Sequence, residues 1–292
     1  MTLQSWILNG EARLRAGPHP DRARRDAEVL LMHLIHRDRA FLVAHPLDSL
    51  TAEGAVRYYA LIERRLGGEP IQYITGETEF YGLPFYVNRS VLIPRPETEH
   101  LVEKVLSHAT GFHQLRIVDV GTGSGAIAVA VAHNLPPVEI TAAAITAIDI
   151  SAPALATARA NAELNRVANR IRFIEGDLLA PVAHEQFEFV LSNPPYVPES
   201  DRGSLDVEVR DHEPALALFA GDGLHIYRRL IPAARAALVP GGFLALEIGF
   251  GQAPAVSALL ADSGFEQIEF TPDLQGIPRV ASARRPVFSS SL

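Results

Sequence analysis

The chain contains no cysteine in its 292 residues, which excludes disulfides, thiolate metal sites and a cysteine nucleophile. A reducing compartment is compatible with that. It also lacks an excess of positive charge: 26 Lys and Arg stand against 34 Asp and Glu, a formal net charge of −8. Without a run of lysines or arginines there is no broad electrostatic footprint for nucleic acid, which weighs against a DNA substrate and leaves room only for a local basic patch. No apolar run reaches membrane-spanning length, and the amino terminus, MTLQSWILNGEARLRAG, has no basic leader ahead of an apolar core. A soluble cytoplasmic protein without membrane contact is expected. The 11 histidines are scattered without a repeated ligand spacing, so no metal is assigned. No internal repeat is present, and nothing in the sequence fixes the oligomeric state; a monomer is expected.

What is there divides the chain. Residues 1–68 read as all-helical, with apolar positions at helical spacing in 3–16, 23–35 and 56–66. Thr51 is placed to cap the last of these, and Gly67-Gly68 followed by Pro70 stops it. Arginine clusters at Arg22, Arg24, Arg25 and at Arg64, Arg65 read as solvated helix faces, with a recognition role left open. In residues 69–95 the period changes to two, and the segments flanking Gly82-Leu83 read as a β-hairpin linker. Pro96 then starts a helix whose first turn carries Glu97 and Glu99. From there to residue 285 strands expected at 115–120, 145–150, 171–175, 187–192, 242–247, 265–271 and 278–283 alternate with helices at 126–133, 152–165, 223–238 and 252–263. Such alternation implies an α/β fold with an open, mostly parallel sheet covered on both faces. The closing pair around residues 273–276 is too near in sequence for a helical crossover and is expected to be antiparallel. Residues 286–292 are expected to form a disordered tail.

The strand at 187–192 ends in Asn193-Pro194-Pro195-Tyr196. Two prolines have no N–H and hold the backbone extended, so carbonyls at the end of this strand lack local partners. An Asn side-chain oxygen, a backbone carbonyl and an aromatic face together suit a planar NH2 group. Such a nitrogen is a poor nucleophile, and two acceptors for its hydrogens polarise it and aim its lone pair. Tyr196 is placed to stack on the planar group and to favour a cation nearby. The first strand of the sheet runs into Gly121-Thr122-Gly123-Ser124-Gly125 and straight into a helix, a cradle in which backbone and helix terminus approach a ligand. The second ends at Asp149, suited to both hydroxyls of a ribose or to capping the helix from Ser151 onward. After the third, Asp177 is placed to receive an adenine amino group and Leu178 to cover the ring, although a simple turn acid is nearly as good a reading of Asp177. The glycine turn also satisfies the dinucleotide pattern G-x-G-x-x-A (Gly121, Gly123, Ala126), so a nicotinamide enzyme must be weighed. Nothing distinctive supplies hydride-transfer acid–base chemistry, whereas an amide-polarising loop makes sense beside a methyl donor. The site therefore reads as one for S-adenosylmethionine, leaving S-adenosylhomocysteine as product.

The combination of DVGTGSGAIA, AIDIS and LSNPPY resembles the Rossmann-like class I methyltransferases, and the tetrapeptide narrows this to those acting on planar nitrogen. The segments at 68–103 (GEPIQYITGETEFYGLPFYVNRSVLIPRPETEHLVE), 212–230 (HEPALALFAGDGLHIYRRL) and 238–249 (LVPGGFLALEIG) narrow it further. They are similar to the PrmC/HemK family of release-factor glutamine methyltransferases, from the linker onward. That resemblance implies methylation of N5 of the glutamine in the Gly-Gly-Gln loop of class I peptide chain release factors, with the helical amino-terminal part recognising the substrate. It implies that Gly121 to Gly125 hold the amino acid part of the cofactor, Asp149 the ribose, and Asn193 to Tyr196 the substrate amide, with Asn193 also facing the cofactor. Position 178 is often aromatic in such proteins and is Leu here. Gly276-Ile277-Pro278-Arg279-Val280 departs from the usual Gly-x-Asp-Arg-Val, so no function is assigned there. Competing readings are a glutamine methyltransferase of a ribosomal protein, an adenine-N6 DNA methyltransferase, which net charge disfavours, and a non-catalytic adapter that keeps cofactor for stability.

Overall fold

A computed structural model describes residues 1–109, 115–136 and 144–287. The chain divides into two compact units, Met1–Glu77 with Leu205–His212 and Thr78–Ser204 with Glu213–Leu292.

The first unit is helical: α1 (Leu3–Leu14), α2 (Ala23–Ile35), α3 (Arg39–Ala44), α4 (Ala52–Leu66) and α5 (Ile71–Thr75), joined by α9 (Val207–His212) from far along the chain. Side-chain oxygens of Thr2, Asp38 and Thr51 cap α1, α3 and α4 by accepting from backbone N–H groups that the helix leaves unpaired, Thr51 as the sequence suggests. The apolar stripes of α1, α2 and α4 close on Trp6, Leu30, Leu31, Tyr58 and Ile62. Gly10 lets two helices approach, since a Cβ there would lie 2.5 Å from the Tyr58 hydroxyl. Two expectations fail here. Residues 71–75, read as part of an extended linker, form a helical turn that packs Tyr73 and Ile74 inward. Arg65, read as solvated, is 3% exposed, with Asp26 at 2.6 Å and Glu208 at 2.5 Å. Two carboxylates and the Glu69 carbonyl satisfy its guanidinium, which is what makes burial of an arginine tolerable.

The second unit begins with the expected hairpin, β1 (Glu77–Phe80) and β2 (Leu83–Tyr86). Its two-residue turn takes positive φ at both Tyr81 and Gly82, the twist that matches the flanking strands. Pro96–Thr98 forms a single tight turn ahead of α6 (Glu99–Ala109). The main sheet has seven strands in the order β5-β4-β3-β6-β7-β9-β8: β3 (Ile117–Val120), β4 (Ile145–Asp149), β5 (Ile171–Glu175), β6 (Phe187–Ser192), β7 (Leu238–Glu247), β8 (Glu266–Pro272) and β9 (Pro278–Arg284). The first five are parallel and β9 is antiparallel to both neighbours. Alternate residues separate to two apolar layers: Ile117, Phe189 and Leu191 meet α6 and α7 (Ala126–Asn134), while Val118, Val120 and Val190 meet α11 (His225–Ala237) and α12 (Ala253–Asp262). The crossover helix α8 (Ala152–Leu164) joins β4 to β5, and α10 (Ala215–Leu218) is one turn. β7 starts earlier than its sequence suggests, running through Pro240-Gly241-Gly242. The register slips from Phe187↔Leu238 to Phe189↔Phe243, a bulge that absorbs the proline and glycines. Of the expected tail, residues 288–292 lie outside the described residues.

Candidate active site

Parallel strands bring their carboxyl ends to one edge, and the register makes four of them level: Val120 pairs with Ile148 and Ser192, and Ser192 with Leu246. Whatever follows each strand must gather there. Gly121, Thr122, Gly123, Ser124, Asp149, Asp177, Leu178, Asn193, Pro194 and Pro195 all line one cavity at this edge. Gly125 and Tyr196, also expected in the site, do not line it.

The glycine turn is built from the backbone. Gly121 and Thr122 N–H both donate to the Ile148 carbonyl (2.8 and 2.9 Å), which folds the chain sharply at the end of β3. A Cβ at Gly123 (φ 56°) would meet nothing within 4 Å, so main-chain atoms themselves face the open cavity. Gly125 serves packing instead. At φ 81° a Cβ would stand 3.1 Å from the Ala158 Cβ, so its bare backbone lets α8 close on the turn. Asn161 on α8 completes this by donating to the carbonyls of Ser124 and Tyr86 and accepting from the Tyr86 N–H. Beneath the turn Asp119, fully buried, accepts from the Thr122 hydroxyl at 2.6 Å. Burial raises its pKa from 3.8 to about 7, against the opposing pull of that hydrogen bond.

Asp149 lies at the cavity as expected, but it is not the residue that caps α8. One carboxylate oxygen accepts from Gly123 N–H (2.8 Å) and the other from Ser151 N–H (2.9 Å), while the cap of α8 is the Ser151 side chain, which accepts from Ala154 N–H. Asp149 thus ties the glycine turn to the start of α8 and still lines the cavity. Desolvation raises its pKa, and the two backbone N–H bonds oppose the rise. Asp177 sits at the rim, half exposed, in an ion pair with Arg229 at 2.5 Å. Leu178, held at φ 50°, contributes with Ile150 and Ile226 to an apolar wall.

At the other end, Asn193 Nδ2 donates to Thr98 Oγ1 (3.1 Å), and the Thr98 hydroxyl donates to Glu247 Oε2 (2.5 Å). The Tyr196 hydroxyl donates to the second oxygen of Glu247 (3.1 Å), so its ring packs inward beside the apolar layer under α11 and α12. Tyr227 donates to the Glu247 carbonyl at 2.8 Å. Glu247 is 1% exposed, and burial raises its pKa from 4.5 to about 7. Ser90, Val91, Leu92 and Pro94 close another side of the cavity, and Glu213 holds this segment by accepting from the Ile93 N–H (3.3 Å) and from Arg95 (2.5 Å). Sequence pattern alone does not single out Thr98, Asp119 or Glu247 for the site. A signal for the last does exist: a carboxylate ends a strand, Phe243 to Leu246, that is otherwise apolar.

Among the described residues no group of His, Asp and Glu is placed to hold a metal ion. The residues present do fit an amino acid joined to a nucleoside: bare backbone at Gly121 and Gly123, an acceptor pair at Asp149, an apolar wall beyond it, and an oriented amide at Asn193. A doubly covered sheet of this order, with a glycine turn after β3 and Asn-Pro-Pro-Tyr after β6, defines a Rossmann-like methyltransferase. The PrmC N-terminal domain family matches residues 5–76 and the methyltransferase small domain family matches residues 96–208. The chain is 42% identical over 288 residues to the release factor glutamine methyltransferase of Koribacter versatilis, covering 98% of this chain and 99% of that one. It is 39% identical over 285 residues to the protein of the same name from Escherichia coli, covering 97% and 99%. A methyltransferase from Pyrococcus furiosus shares the fold, with a TM-score of 0.52 at 17% identity over 70% of this chain and 90% of that one. The chain belongs to the release factor glutamine methyltransferase family, and is an S-adenosylmethionine-dependent enzyme.

Proposed function

We propose that the protein transfers a methyl group from S-adenosylmethionine to the side-chain N5 of the glutamine in the Gly-Gly-Gln loop of class I peptide chain release factors. The observation that carries this reading is Asn193: its NH2 is engaged by Thr98, which leaves its oxygen for a hydrogen of an incoming amide. The bound cofactor supplies an electrophilic methyl on a sulfonium, which the amide nitrogen takes while sulfur keeps the bonding electrons as S-adenosylhomocysteine and the nitrogen releases a proton. The protein's part is alignment. Asn193 Oδ1 and a carbonyl of the Pro194-Pro195 segment accept the two N–H bonds, which polarises the nitrogen and aims its lone pair. Gly121 to Gly125 cradle the amino acid end of the cofactor and Asp149 the ribose. Leu178 covers the adenine, with Asp177 near its amino group. Tyr196 acts from behind the tetrapeptide through its hydroxyl. The helical unit serves recognition of the protein substrate, which its match to the PrmC N-terminal domain family supports.

The test is transfer of a labelled methyl group to purified release factor, beside the same factor with its loop glutamine changed to alanine, a ribosomal protein fraction and duplex DNA. Label on the intact factor alone is expected. Label on the alanine variant, or only on ribosomal protein or DNA, would refute the assignment.

A further inference from the structure

The two ends of the Asn193 amide differ chemically, and a chain of hydrogen bonds decides which end looks into the cavity. Thr98 spends its one hydroxyl hydrogen on Glu247 Oε2 at 2.5 Å, so towards Asn193 its oxygen can only accept. That forces Nδ2 of Asn193 onto Thr98 and leaves Oδ1 for the cavity. The direction starts at Glu247, because an ionised carboxylate accepts and never donates. Its other oxygen takes the Tyr196 hydroxyl, so one buried side chain holds both ends of Asn193-Pro194-Pro195-Tyr196.

We propose that Glu247, acting through Thr98, is a positioning residue that fixes the polarity of the Asn193 amide for the incoming NH2 group. The role rests on the reading of this site as one for amide methylation. If Asn193 turned over, NH2 would face NH2 and the contact would be lost outright. The groups facing Glu247 are Thr98 and Glu97 ahead of α6, Tyr196 after β6, Tyr227 on α11 and Arg279 on β9; Arg95 faces the Tyr196 hydroxyl as well. Once protonated, Glu247 must donate one of its two bonds, and one hydroxyl must then reverse. Where that hydroxyl is Thr98's, its hydrogen turns towards Asn193 and the set direction of the amide is lost, so turnover is expected to fall as the pH drops through about 7, where burial holds the Glu247 carboxyl.

The experiment compares wild type with T98V, T98S, E247Q, N193A and the N193A/T98V pair, measuring kcat on the release factor, cofactor Kd and the pH profile. T98V keeps the shape and removes the hydroxyl. It should lower kcat by about 10²-fold, the scale of one oriented contact to a transition state, with cofactor Kd held within a few-fold. T98S should restore most of that loss. E247Q should be slow throughout and lose the acid limb shown by wild type. N193A/T98V should be no slower than N193A, because Thr98 acts only through Asn193. A T98V enzyme within about threefold of wild type, or a T98V loss that multiplies onto N193A, overturns the proposal while leaving the substrate reading intact. A wild-type enzyme that binds cofactor and methylates no release factor overturns the substrate reading, and the positioning role falls with it.

Discussion

Raising the pH from about 5 to about 8 is expected to weaken the fold through two buried carboxyls, Asp119 and Glu247, that are neutral at the acid end of that range and ionised at the other. Asp119 is 0% exposed, and its pKa rises from 3.8 to about 7, chiefly by desolvation. Between those values the folded protein holds a proton that the unfolded chain has released, so protonation favours the folded state. The contribution is full below the unfolded value and gone once the pH rises through about 7. Between about pH 5 and about 7, at about 1.4 kcal/mol per pH unit, the loss is on the order of 3 kcal/mol for each of Asp119 and Glu247. Set against a total stability of about 5–15 kcal/mol, the loss is large. His33 works in the opposite sense, since partial burial lowers its pKa, but Asp149, whose pKa desolvation raises, acts with Asp119 and Glu247. Urea unfolding midpoints of the cofactor-free protein across that range measure the slope, for wild type and for Asp119→Asn, which cannot titrate. The variant should show a flatter profile. A wild type equally stable at both ends, or a variant with an unchanged slope, would refute the reasoning.

Asp149→Ala removes the acceptor of two backbone N–H groups, Gly123 in the glycine turn and Ser151 at the start of α8. It should weaken cofactor binding by about 10- to 100-fold, following a loss of about 1–3 kcal/mol; calorimetry showing unchanged affinity would withdraw Asp149 from the ribose role. Gly125→Val forces a branched side chain into φ 81° and against Ala158. A cost of about 1–3 kcal/mol is expected, visible as a lower Tm, and an unchanged Tm would mean that α8 can move away freely. Arg65→Ala leaves Asp26 and Glu208 without their shared cation and should destabilise the helical unit by about 3–5 kcal/mol. Helical signal surviving to the wild-type urea midpoint would contradict that.

The parts of this structure legible in sequence are those set by local pattern. β5 and β6 run over the residues expected, because their apolar runs end abruptly at Gly176 and at Asn193-Pro194. The parallel strands β3 to β7 then place their carboxyl ends on one edge, which is why Gly123, Asp149 and Asn193 can be read as one site from their positions alone. What stays hidden depends on chain folding back from a distance. Thr98 looks like an ordinary first-turn residue, and only its bonds to Asn193 and Glu247, 95 and 149 positions away, give it a role. Arg65 looks like a solvated charge because neither Asp26 nor Glu208 is its neighbour in sequence. The pattern around Tyr196 suggests a ring offered to the ligand, and the buried carboxylate at 247 turns its hydroxyl inward instead. Short helices such as α5 and α9 carry too few turns to display a periodicity.

The helical unit draws α9 from residues 207–212, and this has a meaning for the order in which the protein is made. A chain synthesised from its amino terminus emits α1 to α5 first, with Asp26 and Arg65 already present. Glu208 arrives only after the glycine turn, Asp149 and Asn193 to Tyr196 have been added. Until then Arg65 has one carboxylate partner of its eventual two, and the surface that will receive α9 faces water. The ionic core of the first part to be born is closed by a segment made only after β6, so completion of the helical unit marks the moment when β3 to β6 and the loops that follow them already exist.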